Sequence, residues 1–187
     1  MINLAWGYIG VTDRDWFDFH SYRKNHEVIF WRHASKPETI LDGTVFFFLV
    51  KKEDFSSKDQ PRMIEGFSIV ESRGSGTIAS LWKEFGEKLG SESMEALVDS
   101  LSQGKYVARD DQVIGYYRLK NVEFLENPLE PEETTIDDNR DRPTYTDHFA
   151  GAQFKRNIMT GININPTQTA KLLEKINADN PKSKENG

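Results

Sequence analysis

"TVFFFLVKK", residues 44–52, carries six consecutive apolar side chains, Val45 through Val50. The run is too short for a core helix and is rich in aromatic and β-branched residues, so it reads as a strand. It has no polar alternate positions, so both of its faces are buried and it sits centrally in a sheet. Asp42-Gly43 gives a turn in front of it, and the polar stretch 51–61 gives a loop behind it.

The flanking segments extend the pattern. "RMIEGFSIVES" (62–72) is a further strand, with Gly66 marking a bulge or a close backbone approach. "EVIFWR" (27–32) and "NLAWGYIGV" (3–11) precede the central run as strands. Between these two, Thr12 is a candidate N-cap with Asp13 and Asp15 in the first turn, followed by Trp16, Phe19 and Tyr22 at helical spacing. After residue 76 the period changes. Ile78, Leu81, Trp82, Phe85 and Leu89 define an amphipathic helix that Gly90 closes. Met94, Leu97, Val98 and Leu101 define a second helix, with a serine before it and Gly104 after it. "QVIGYYRLKNVEFL" (112–125) is a long strand, and "PTQTAKLLEKINAD" (166–179) is a last helix with Pro166 at its first position. Strands cluster instead of alternating with helices. The expected class is therefore α+β, with a curled, mostly antiparallel sheet flanked by helices.

The chain has 187 residues, a net charge of −6 and no cysteine. The length suits one domain: a core over 3–125, an acidic loop over 126–141, a closing segment over 142–178, and a polar tail or linker over 179–187. The lack of cysteine excludes thiol catalysis and Cys-based zinc sites and fits a cytoplasmic protein. No apolar run is long enough for a membrane span, and the N-terminus lacks a secretory signal pattern. Residues 123–141 hold eight acids and one base; taken from totals of 30 and 24, they leave 22 acidic and 23 basic residues. A local basic face is thus compatible with the overall charge.

Catalytic signatures are sparse. His20, His26, His33 and His148 form no metal-type pair, and no cofactor motif is present. "SRGSGT" (72–77) resembles an anion-binding turn before a helix but lacks the nucleotide fingerprints; it reads chiefly as a strand-to-helix turn, and Arg73 within it is a candidate phosphate contact. Trp31 stands out because Arg32, His33 and Ser35 follow it directly. A tryptophan there can stack on a planar base, for about 1–3 kcal/mol.

"YIGVTDRDWFDF", "EVIFWRHAS", "DGTVFFFLVKK", "IEGFSIVES", "SLWKEFGEKLGSESMEAL" and "VIGYYRLKNVEFLENP" together resemble the N-terminal specificity domain of modification-dependent HNH restriction endonucleases. That domain is PUA-like, akin to the EVE and YTH folds. The resemblance spans residues 6–128 and, weakly, "RPTYTD" (142–147). It implies a β-barrel-type sheet and a non-catalytic reader that captures a modified base, in DNA or RNA, in an aromatic pocket. It assigns Trp31, Trp16, Asp13, Thr12 and Ser35 to the pocket, and Arg32 and His33 to the nucleic-acid backbone, where Arg73 of the glycine-rich segment would join them. The family's His-Asn-His unit and zinc cysteines are missing, so a nuclease effector would be fused elsewhere or separate. Two alternatives remain: a regulatory module binding a protein or small ligand through the acidic stretch, and an enzyme domain using His33 or His148 as a base.

Overall fold

The computed structural model describes residues 5–33, 40–52, 62–102, 107–131 and 161–182. The described residues form six strands: β1 (Gly7–Thr12), β2 (Val28–Arg32), β3 (Val45–Val50), β4 (Met63–Thr77), β5 (Val113–Leu129) and β6 (Gly161–Ile164). Four α-helices accompany them among the described residues: α1 (Arg14–Arg23), α2 (Ile78–Phe85), α3 (Met94–Leu101) and α4 (Pro166–Asp179). The class is α+β, as expected.

The sheet order is β2-β5-β4-β3-β1-β6. β3 is interior and buried along its whole length, as its uninterrupted apolar run requires. The expected curled, barrel-type closure is corrected. The order has two ends, β2 and β6, so the described strands form an open sheet. It is also mixed, because β1 runs parallel to β3 and antiparallel to β6. The chain leaves β1 through α1 and β2 before entering β3, a crossover long enough to return it in the parallel sense.

The chain divides into two compact units. The first comprises residues 1–12, 44–67 and 124–187; the second comprises 13–43 and 68–123. In the first, Tyr8, Phe46 and Phe48 interlock with ring centroids 5.3 Å apart in each successive pair. α4 begins with a capping box: Asn165 Oδ1 accepts from the Gln168 amide, and Gln168 Oε1 accepts from the Asn165 amide, both at 2.8 Å. Pro166 takes the first turn, where its missing N–H costs nothing. In the second unit, Ile29, Ile78, Leu81, Leu89, Leu97, Leu101, Ala108 and Ile114 form a buried core.

Several boundaries differ from expectation. β4 continues through "SRGSGT" to Thr77, so that segment is strand and not turn. Its side chains alternate between buried and half-buried through Gly66. α2 stops at Phe85 because Gly86 adopts φ +54°, and a 3-10 turn (Gly86–Leu89) follows. β5 extends to Leu129 and takes in the start of the expected acidic loop. β6 lies within a segment that gave no clear sequence pattern. Thr12 ends β1, and Asp13 occupies the N-cap position of α1.

Candidate functional site

β2 places Trp31 in register with Tyr116 of β5, Phe30 with Tyr117, and Arg32 with Gly115. Residues directly opposite share a face, and successive residues alternate faces. Trp31 and Tyr116 therefore stand on one side of the sheet, and Phe30 and Arg32 on the other. The Arg32 guanidinium lies 4.8 Å from the centre of the Phe30 ring. His33 meets the Trp31 ring edge-on at 5.8 Å.

Trp31 is half-buried against the core of the second unit. Its indole Nε1–H donates to the Leu89 carbonyl at 3.0 Å. That bond fixes the ring and ties the 3-10 turn to β2. Tyr116 extends the aromatic surface: Phe85 meets its ring at 5.2 Å. A Cβ at Gly74 would sit 2.7 Å from the Tyr116 hydroxyl, so only glycine leaves room for this ring. Burial, followed by the Glu84 charge, raises the Tyr116 phenol above its ordinary pKa. Trp31, His33, Tyr116 and Phe85 form the most coherent candidate surface among the described residues.

Two cations near this surface are paired. Lys88 Nζ is 3.0 Å from Glu27 Oε2, and Arg118 Nε is 3.1 Å from Glu71 Oε2. The Lys88 hydrogen bond, then its charge, holds the Glu27 carboxyl below the usual range.

The remaining sequence candidates are placed differently. Trp16 is corrected from a pocket wall to an interior residue: it is 7% exposed and meets Phe30 edge-on at 5.2 Å. A side chain at Gly90, which has φ +85°, would collide with the Trp16 ring, so the chain closes directly over that indole. Thr12 is also interior, and its Oγ1 donates to the Gly10 carbonyl at 3.0 Å. Asp13 is exposed at the start of α1. Arg73 Nη1 donates to the Ile40 carbonyl at 2.6 Å, which gives it a structural partner. Ser35 and His148 lie outside the described residues.

The candidate anion turn is likewise corrected. The first amides of α2 are taken: Ile78 N–H by Gln112 O at 3.0 Å, Ala79 N–H by Asp110 O at 2.9 Å, and Ser80 N–H by Thr77 Oγ1 at 3.1 Å. His20 is fully buried and its pKa is lowered to about 3, first by desolvation and then by the Arg23 charge. Among the described residues no group of acids and histidines is arranged to hold a metal ion. No described helix is long and apolar enough to cross a membrane.

Solved structures supply the comparison. The ASCH protein from Zymomonas mobilis aligns at 13% identity over 89% of this chain and 94% of that chain, with a TM-score of 0.55. Two mutant forms of it align at 11% and 12% identity with TM-scores of 0.56 and 0.52; they cover 90% and 89% of this chain and 94% and 96% of theirs. The fold is ASCH-like. No protein-family model matches the sequence, and no curated protein matches it. At these identities the likeness is one of fold alone. Tyr116 and Phe85 were not among the site residues expected from the sequence. The Tyr116-Tyr117 pair was the available signal, because adjacent strand residues face opposite ways and one of the two had to leave the α1 side.

Proposed function

We propose that this chain is a non-catalytic nucleic-acid reader that captures a base, in the sharper form a modified base flipped out of DNA, on the Trp31–Tyr116 surface. ASCH- and PUA-like folds are often nucleic-acid binding, which supports the class. The observation that carries the reading is the half-buried Trp31 ring, held by its bond to Leu89 O with His33 edge-on and Tyr116 beside it. A ring already fixed loses little further freedom when a base stacks on it. Stacking of about 1–3 kcal/mol per base is comparable to the few kcal/mol that unstacking requires. Arg32 faces the other side of the sheet, so it serves the base surface only from the strand end. The domain would act as the specificity module of a restriction-type system, with its nuclease fused or separate.

A panel of modified and unmodified oligonucleotides, single- and double-stranded, tests the proposal by fluorescence anisotropy. Trp31→Ala weakens binding but also loses packing, so Trp31→Phe and His33→Ala accompany it. The reading expects a preference for one modified base. It also expects His33→Ala to weaken binding several-fold without moving the melting temperature. Equal, weak binding to every oligonucleotide, unchanged in both variants, would contradict it.

A further inference from the structure

We infer that residues 86–92 form a strap, latched across the edge of β2 by two exposed ion pairs, and that its closure fixes the Trp31 indole. Such a strap governs how the ring is held, whatever the ring contacts. β2 ends the order of the described strands, and a strand in that place presents an edge that a loop can cover. Two consecutive residues show where the strap runs. The Leu89 carbonyl accepts from Trp31 Nε1–H at 3.0 Å on one face of the sheet. Gly90 closes over the ring of Trp16, which packs on Phe30 on the opposite face. The chain reaches both by passing around β2 on the side away from β5. Leu89 itself is fully buried and roots the strap in the core of the second unit.

The strap is built to pivot. Gly86 has φ +54° and Gly90 has φ +85°, values that other residues disfavour. A Cβ at Gly86 would meet nothing within 4 Å, so glycine stands there for its backbone freedom and not for space. Beyond Leu89 the side-chain ties are electrostatic. Lys88 Nζ lies 3.0 Å from Glu27 Oε2, and Arg23 Nη2 lies 3.3 Å from Glu92 Oε1. Arg23 ends α1 and Glu27 directly precedes β2, so both latches close on the connection between them. Both pairs are exposed, where each contributes little and salt screens it. Closed, the strap holds the indole. With the latches screened, the glycines let it lift and the bond from Trp31 to Leu89 breaks. Charge at the rim is thereby coupled to the position of the ring.

Exchange of the indole N–H groups with water, followed by NMR on the full labelled chain, tests the strap. The Trp31 N–H is held by Leu89 O, and the Trp16 N–H is buried beneath Gly90. Trp6, which is 54% exposed, gives the reference rate. Lys88→Met breaks one exposed pair and should raise the Trp31 and Trp16 rates about 1.5- to fivefold, whereas Lys88→Arg keeps the pair and should stay near wild type. A change from about 50 to about 500 mM salt screens both pairs and should raise the two rates together by about two- to tenfold relative to Trp6. The Tyr117 amide in β5 should keep its protection throughout. Rates unmoved by salt and by Lys88→Met would overturn the strap. A Trp31 rate that rises alone would overturn it too, as would one that rises only in step with the Tyr117 amide, the mark of global unfolding. Equal rises in Lys88→Met and Lys88→Arg would remove the ion pair as its latch.

Discussion

His20 is the residue whose chemistry departs furthest from its ordinary behaviour. Asn25 Nδ2 lies 3.0 Å from its Nδ1, and its buried Nε2 meets no hydrogen-bond partner among the described residues. Burial and Arg23 lower its pKa from 6.5 to about 3. The folded chain thus keeps His20 neutral where the unfolded chain protonates it. The sign follows: stability from this group is full above about pH 6.5 and is lost as pH falls towards 3, at about 1.4 kcal/mol per pH unit. Urea unfolding at pH 7 and pH 5 should show a loss of about 2 kcal/mol from this residue. His20→Phe should flatten that part of the profile; an identical profile in the variant would contradict the assignment. Gly90 yields a second prediction at this scale. Gly90→Ala combines a left-handed backbone with a collision against the Trp16 ring. It should cost about 2–4 kcal/mol, read from the melting temperature, as overpacking and backbone strain add.

At the scale of elements, the 3-10 turn after α2 explains how much was legible. Ile78, Leu81, Trp82, Phe85 and Leu89 keep a helical period across Gly86, so one long helix was the natural reading. Leu89 is buried in either geometry, and only the φ of +54° at Gly86 distinguishes them. The break matters because it turns the Leu89 carbonyl towards Trp31. The Val45–Val50 strand was legible because burial on both faces leaves an unambiguous pattern. The partners of Trp31 were not, because strand register decides them and the sequence carries no register. A clasp between β5 and α4 was equally hidden. The Asn127 amide donates to Asn180 Oδ1 at 2.8 Å, Asn127 Nδ2 to Asp179 O at 2.9 Å, and Asn180 Nδ2 to Asn127 O at 3.0 Å. Asn180→Ala should release the end of α4, at a cost of about 1–2 kcal/mol. Hydrogen exchange in the last turn of α4 should accelerate; unchanged protection there would show that the clasp is dispensable.

At the scale of the molecule, an ASCH-like fold is joined to a net charge of −6. The proposed partner is a nucleic acid, whereas the charge opposes long-range attraction to one. An aromatic stacking surface reconciles the two, because stacking depends little on net charge. Association should accordingly be slow and weakly dependent on ionic strength, which stopped-flow mixing can check. A steep rise in the association rate at low salt would point to a basic surface elsewhere in the chain.

The account turns on whether Trp31 touches the ligand, and amide and indole NMR reads this without disturbing the fold. Four tryptophans give four indole N–H signals, and Trp31→Phe assigns the one bonded to Leu89 O. Titration with the preferred oligonucleotide should shift the Trp31 indole and the Tyr116 and His33 amides, while the indole of buried Trp16 stays in place. Saturable binding that leaves the Trp31 signal unmoved would contradict the account.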